Sequence, residues 1–398
     1  MVEEISARLL VIDDNEDVGR FLSKMGNLCG YQADHVENIE DCESYLKQFN
    51  PDIITLDLQM PETDGVEFLR WLSSKECKSN ILLISGMDNR TLSSSMDLGK
   101  HLGLNIIGTL QKPVQISEIK SILKRFIEKN KKIIFTENDL EDALKKEQFV
   151  VYYQPRISID SQIKTVCGVE ALVRWQNEDG SIISPGEFIP LAERTGQIRE
   201  ITWQVLDIAF KDLVEWEKQD LNLSVSLNIA QTMLDDYELP EKIYDTAVKY
   251  GVNTGCVILE ITESAAMKDV FKSMDILTRL RIKGFQISLD DFGTGFSSLV
   301  HLYRLPFSEI KIDHTFVKDI LQDKEAQTIV HACIDLAKNL GMSSCAEGVE
   351  NEEVLNMLEG YGCNQQQGYL FSEAIPSDSL VHWLAGWNEA TKNYNEQM

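Results

Sequence analysis

The sequence predicts an α/β protein in two parts, a doubly wound parallel sheet followed by a closed βα barrel. Three observations lead there. The 398 residues exceed one compact core, and at roughly 100–200 residues per domain they suggest two or three. Over about the first 130 residues, short apolar runs alternate with helix-like stretches, the pattern of a parallel sheet covered on both faces. From about Val150 the alternation starts afresh and runs through eight cycles, enough to close a barrel.

In the first part the strands read as RLLVIDD, DIITLDL, NILLISG and IIGTLQKP, with helices from about Asn15 and from Val66 to Ser73. Functional groups of such sheets collect at the carboxyl ends of the strands. Asp13 and Asp14 end the first run, Asp57 the second, Ser85 the third and Lys112 the fourth, just before Pro113. Three carboxylates, a hydroxyl and an ammonium at one rim suit phosphoryl chemistry. Asp13 and Asp14 would hold a hard divalent cation through oxygen. Asp57 would be the nucleophile, and Ser85 and Lys112 would receive the transferred phosphoryl oxygens.

With all five positions at this spacing, residues 6–130 resemble the receiver domain of bacterial response regulators. The resemblance implies a flavodoxin-like doubly wound fold, phosphorylation of Asp57, one Mg2+ in the site, and a cognate histidine kinase or phosphotransfer protein as partner. One position departs. The family usually carries an aromatic residue three before the lysine, where this chain has Thr109. The usual Ser/aromatic switch is therefore not expected, although phosphorylation needs only the other five groups.

After Pro113, the spacing of Ile116, Ile119, Leu123 and Phe126 predicts the last helix of this part. A further helix starts at Thr136, with Asp139 three residues on as in a capping box. No Pro/Gly/Ser-rich tract intervenes, so short helical elements join the parts. The expected division is a first domain over 1–130, a helical linker over 131–149 and a barrel over 150–398.

The eight runs of the barrel are FVVYYQP, GVEALVRW, LSVSLNIA, VILEITES, QISLDDFGTG, EIKIDHTF, MSSCAEGVE and NQQQGYLF. Helical stretches such as Ile198 to Gln219 and Glu325 to Leu340 lie between most of them. Glu170, Asn228, Glu260, Asp290, Asp291 and Glu347 are oxygen ligands from different strands that converge on one mouth if the barrel closes. Such a ring of carboxylates would repel itself without cations. Oxygen-only donors favour Mg2+ or Mn2+ over zinc or copper. The adjacent Asp290 and Asp291 suit a pair of cations roughly 3.5–4 Å apart, the arrangement for in-line phosphoryl displacement by water.

YYQP, EALVRW, FIPLAE, LEITES, DDFGTGFSSL, KID, AEGVE and QGYLF occur in order, and residues 138–388 resemble the EAL family of cyclic di-GMP phosphodiesterases, named for the triplet Glu170-Ala171-Leu172. The resemblance implies a TIM-like βα barrel that opens cyclic di-GMP to linear pGpG. It implies that Glu170, Asn228, Glu260 and Asp290 hold one metal, and Asp290, Asp291 and Glu347 the other. Lys311 would sit by the attacking water, and Glu347 is either a ligand or the base. Gln154, Leu172, Arg174, Glu350 and Gln367 would meet the substrate, Arg174 as a bidentate phosphate donor. Glu263 would anchor the DDFGTG loop, to which Gly293 and Gly295 lend backbone freedom. Asn364 stands where the family often has Asp, outside the metal positions.

The charge balance narrows the partners. With 64 Asp+Glu against 38 Lys+Arg and a net charge of −26, the chain opposes nonspecific attraction to nucleic-acid polymers and anionic lipid. A small phosphorylated ligand stays compatible, because cations bound in a cleft reverse the local sign. The N-terminal MVEEISARLLVIDDNED has no basic start before an apolar run, and no apolar span approaches about 18 residues, so no signal peptide or membrane crossing is expected. The 8 cysteines form no C-x-x-C pair and read as reduced thiols of a cytoplasmic protein. A homo-oligomer is also expected. The alternative from another class is a catalytically inactive cyclic di-GMP sensor or interaction module.

Overall fold

The computed structural model describes residues 7–60, 64–75, 77–130, 135–160, 163–293 and 299–395. The chain divides into two compact units, Met1–Ile134 and Phe135–Met398.

In the first unit the strands are β1 (Arg8–Ile12), β2 (Gln32–Val36), β3 (Ile53–Asp57), β4 (Asn80–Ser85) and β5 (Asn105–Gln111). They pair in parallel in the order β2-β1-β3-β4-β5. The apolar runs are continuous because both sheet faces are covered. Leu10, Ile12, Ile54, Leu56 and Leu83 enter one core layer, while Leu9, Val11, Ile53, Leu82 and Ile84 enter the other. The covering helices are α1 (Glu16–Leu28), α2 (Ile39–Phe49), α3 (Gly65–Ser74), α4 (Asn89–His101) and α5 (Ile116–Asn130). Side chains of Asn15, Asp64 and Asp88 accept from backbone N–H groups that open α1, α3 and α4. In α5, Ile119, Leu123 and Phe126 are buried as the spacing predicts. Ile116 is 49% exposed, because the first turn of the helix overhangs the core.

The second unit opens with α6 (Glu137–Lys145), whose Thr136–Asp139 capping box is formed. Leu140 and Ala143 of α6 join the core shared with the barrel helices. Ten strands follow: β6 (Phe149–Asp160), β7 (Ile163–Gln176), β8 (Ile182–Ile183), β9 (Ser224–Asn228), β10 (Val257–Thr262), β11 (Gln286–Phe292), β12 (Glu309–Ile312), β13 (Ser343–Ala346), β14 (Gln365–Gln366) and β15 (Ile375–Pro376). Eight of them close a ring in the order β6-β14-β13-β12-β11-β10-β9-β7, and β6 returns to β7. All eight sequence runs supply a barrel strand.

One strand departs from uniform βα alternation. β6 lies antiparallel to both β7 and β14. The reason is length: only residues 161 and 162 separate β6 from β7, whereas a parallel crossover needs about a dozen residues. Strand alternation then sorts the side chains. Val169, Ala171, Leu227, Leu259, Ile261, Leu289, Ile310 and Ile312 pack outward under the helices. The residues between them bring Glu170, Ser226, Glu260, Ser288, Glu309 and Lys311 into buried positions. A barrel interior is ordinarily filled by branched aliphatics, so this polar filling marks the barrel as a site. Among the described residues no helix is long and apolar enough to cross a membrane.

Candidate active sites

At the rim of the first sheet, Asp13 and Asp57 are 1% and 3% exposed, and Asp14 is exposed. Lys112 Nζ donates to Asp13 Oδ2 at 2.8 Å and to Asp57 Oδ2 at 2.7 Å. Burial alone would lower the lysine pKa, but its hydrogen bonds to Asp13 and Asp57 raise it overall. One carboxylate oxygen from each of Asp13, Asp14 and Asp57 lies within 4.8 Å of the others. That oxygen-only cluster fits a hard divalent cation. Ser85 is fully buried and accepts from Met87 N at 3.1 Å. Thr109 sits on β5 beside Leu83 of β4.

Gln59 is a participant the sequence reading missed. Its N–H donates to Asp57 Oδ1 at 2.9 Å, and its Oε1 accepts from Gly86 N at 2.9 Å and from Ser85 Oγ at 3.4 Å. Its place two residues after Asp57 was the available signal.

In the barrel the polar interior converges on Lys311, which is 1% exposed. Its Nζ lies 2.6 Å from Glu347 Oε1, 2.7 Å from Glu260 Oε2, 3.4 Å from Asp290 Oδ1 and 3.5 Å from Glu170 Oε2. Glu170 also accepts from Asn228 Nδ2 at 3.0 Å and from Gln367 Nε2 at 2.7 Å. Gln367 Nε2 donates to Gln154 Oε1 at 2.8 Å as well, which brings β6 into the site. Burial would raise the Glu170 pKa, but Lys311 and those amide donors hold it below the usual carboxylate range. Glu260 goes the other way, raised by its burial and by the charge of Glu170. Burial pushes Glu347 up to about 7, against the opposing pull of Lys311.

Asp290 and Asp291 owe their arrangement to an irregularity in β11. The register of β11 against β12 shifts between Leu289 and Phe292, and Asp291 takes φ 57, a left-handed conformation uncommon outside glycine. Burial and the neighbouring carboxylates of Asp290 and Asp313 raise the Asp291 pKa. Gly293, at φ 98, donates its N–H to Glu263 Oε2 at 3.3 Å. Glu263 is 4% exposed and begins a helix capped by Thr262. Gly295 lies outside the described residues.

The candidate substrate contacts occupy the mouth in part. Glu170, Leu172 and Arg174 share one face of β7, opposite the core residues Ala171 and Trp175. Arg174 lies over the Tyr152 ring at 5.7 Å, and burial lowers its pKa. Glu350 is exposed and follows Val349, whose N–H donates to Gln367 O at 3.0 Å.

Four carboxylates share one ammonium here, so the site carries excess negative charge. Asp290 Oδ1 is buried and accepts no hydrogen bond. That acceptor, met only by the Lys311 charge at 3.4 Å, and the all-oxygen donor set fit a hard divalent cation. Among the described residues, the barrel carboxylates are not drawn together as tightly as Asp13, Asp14 and Asp57; the Lys311 ammonium stands between them.

Beneath this layer lies a buried set that the sequence reading missed. Arg156 on β6 is 0% exposed and pairs with Glu309 of β12 and Ser226 of β9, and its Nη2 donates to Gln365 Oε1 at 2.7 Å. The signal was a charge at inward register in each of two strands: Arg156, two residues after Gln154, and Glu309, two residues before Lys311.

A phosphoacceptor-type sheet rim and an acidic barrel interior on one chain define a two-part signalling protein. Comparisons agree in both parts: the model of the EAL domain matches residues 137–374, and that of the response regulator receiver domain matches residues 9–124. The chain belongs to the EAL domain family and carries an N-terminal receiver domain. It is 29% identical over 343 residues to the cyclic di-GMP phosphodiesterase RocR of Pseudomonas aeruginosa, covering 84% of this chain and 87% of RocR. It is 37% identical over 249 residues to the bifunctional diguanylate cyclase/cyclic di-GMP phosphodiesterase MucR of the same species, covering 62% of this chain but only 36% of MucR. It likewise spans 30% of the signaling protein YkoW of Bacillus subtilis. Among solved structures, the P. aeruginosa MucR phosphodiesterase in complex with c-di-GMP matches with TM-score 0.58 and 37% identity, covering 61% of this chain and 98% of that one.

Proposed function

We propose that the chain is a response regulator that hydrolyses cyclic di-GMP to linear pGpG, with its rate set by phosphorylation of Asp57. The observation that carries the reading is the convergence of Glu170, Glu260, Asp290 and Glu347 on one buried ammonium, with Asp290 Oδ1 accepting no hydrogen bond. Relatives named as cyclic di-GMP phosphodiesterases, one of them matched along most of its length, support the substrate.

In this reading Glu170, Asn228, Glu260, Asp290, Asp291 and Glu347 hold two Mg2+ or Mn2+ ions. Bound there, the cations supply Lewis acidity for attack by water and neutralise charge on the phosphoryl oxygens. Lys311 places a fixed positive charge where the reacting phosphate gains negative charge. Arg174 binds a substrate phosphate, and Leu172, Gln154, Glu350 and Gln367 shape the mouth. Glu347 serves as ligand or as proton acceptor. A histidine kinase or phosphotransfer protein donates to Asp57, with one Mg2+ held by Asp13 and Asp14. The free cysteines fit a reducing cytoplasmic setting, and a homo-oligomer completes the reading.

The test is purified full chain with Mg2+ or Mn2+ and cyclic di-GMP, followed by chromatography for the linear product. Product at multiple turnovers supports the enzyme, whereas stoichiometric binding without product would establish the sensor. Labelling by a phosphoryl donor is expected in wild type and absent in folded Asp57→Asn.

A further inference from the structure

Glu260 is held from two sides. Its Oε2 accepts from Lys311 in the layer of the mouth. Its Oε1 faces Arg156 Nη1 across 3.9 Å in the layer beneath. Both side chains are fully buried. Glu260 Oε1 accepts no hydrogen bond, so its approach to Arg156 Nη1 is one of charge across a gap; Arg156 Nε also lacks a hydrogen-bond partner. Native structures rarely leave a buried polar atom without a hydrogen bond, and each one calls for a reason. Arg156 is otherwise fixed by Glu309, Ser226 and Gln365, from strands β12, β9 and β14. Four barrel strands therefore converge on its guanidinium. A planar guanidinium held at several points is a rigid source of charge, unlike a flexible ammonium.

We propose that Arg156 is a positioning residue for the candidate metal centre: from beneath the mouth it keeps the Glu260 carboxylate aimed toward Lys311 and the cation site. The inference rests on the proposed metal-dependent reading of the barrel. Arg156 touches neither the mouth nor its other carboxylates among the described ion pairs, so it acts through Glu260. Groups that orient a ligand from behind typically change metal affinity by about 10- to 100-fold when removed.

The experiment is Mn2+ titration by calorimetry on the full chain carrying Asp13→Asn and Asp57→Asn, which removes the receiver carboxylate cluster as a competing site. Thermal unfolding is recorded in parallel. Arg156→Met is expected to weaken Mn2+ binding about 10- to 100-fold, with partial recovery in Arg156→Lys. Glu309→Gln disturbs the same buried set but keeps the guanidinium, and is expected to bind Mn2+ like the parent. If Arg156→Met does not fold, the neutral pair Arg156→Met/Glu309→Gln replaces it, because it leaves no unpaired Glu309 charge. Unchanged Mn2+ affinity in the folded Arg156 variants overturns the inference. So does a loss in Glu309→Gln equal to that in Arg156→Met, which would mark the role as packing. A parent chain that binds no Mn2+, or a Glu260→Gln variant that binds it like the parent, instead removes the metal-centre reading on which the inference stands.

Discussion

Lys311 Nζ donates to Glu260 Oε2 at 2.7 Å from two strands away, and both residues are 1% exposed. Removing one partner of such a buried pair strands the other's charge, at a cost of roughly 3–5 kcal/mol. Lys311→Met is therefore expected to lower the unfolding midpoint of the barrel in the presence of a chelator. Added Mn2+ supplies positive charge among the same carboxylates and stabilises the folded state by mass action. The gap in midpoint between variant and wild type should narrow as Mn2+ rises, while turnover of cyclic di-GMP stays lost. A gap that Mn2+ leaves unchanged would mean that the cation does not share the site of the ammonium.

Glu170 and Asp290 also lie close to Lys311 Nζ, at 3.5 and 3.4 Å. Glu170→Gln and Asp290→Asn keep volume and remove one anionic oxygen each. Residues that merely orient a ligand cost about 10- to 100-fold when lost, so loss of a ligand itself should bring turnover below about one hundredth of wild type. Steady-state assays on variants with unaltered circular dichroism decide this, and rates near wild type in either would sink the metal-site assignment.

Much of this was legible in the sequence because strand alternation and strand ends constrain where a side chain goes. Asp57 and Ser85 close apolar runs that must leave the sheet there, and the EALVRW run puts Glu170, Leu172 and Arg174 on one face by period alone. Asp290 and Asp291 show the limit. Neighbours in a regular strand point to opposite faces, and only the register shift and the positive φ of Asp291 change that. Backbone departures of this kind are set by tertiary surroundings, which a linear pattern does not carry. Arg156 and Glu309 were missed for another reason. A charge within a strand reads as solvent-facing by default, and the two become partners only once the ring closes between β6 and β12. The antiparallel direction of β6 was not legible, because the runs read from the sequence end at Pro155 and resume at Gly168, and only the extended strands of the structure leave just residues 161 and 162 between them.

Gly368 holds the Gln367 segment close to the chain that carries Glu350. A Cβ built on Gly368 would stand 2.2 Å from Val349 O and 2.3 Å from Val349 N. Backbone on backbone leaves nothing flexible to yield. Gly368→Ala should therefore push the segment away, disturb the Val349 N–H bond to Gln367 O, and weaken substrate affinity more than a surface substitution would. KM for cyclic di-GMP rising several-fold, with a lower unfolding midpoint, is the expected result. An unchanged KM and midpoint would show that the approach is looser than described.

Glu263 and Gly293 join the helix after β10 to the end of β11, through the bond from Gly293 N to Glu263 Oε2 at 3.3 Å. The carboxylate is buried, and the glycine lies two residues after Asp291, whose φ is 57, so the bond bears on where Asp290 and Asp291 lie. A hydrogen bond to a charged group contributes about 1.5–3 kcal/mol, which corresponds to roughly 10- to 100-fold if turnover depends on it. Glu263→Ala should lower kcat within that range, and Glu263→Gln, which still presents a carbonyl oxygen to Gly293, should lose less. Phosphorylation is expected to shift turnover by about 5- to 150-fold, the usual range of allosteric coupling. If the loop after β11 is the element being biased, Glu263→Ala should blunt that response as well as the basal rate. Steady-state kinetics of wild type and both variants, each with and without a small phosphoryl donor, check the two claims separately. A kcat of wild-type size in folded Glu263→Ala would remove the anchoring role. A full phospho-response in the same variant would show that the signal reaches the barrel by another route, and a wild type indifferent to the donor would end the claim of coupling.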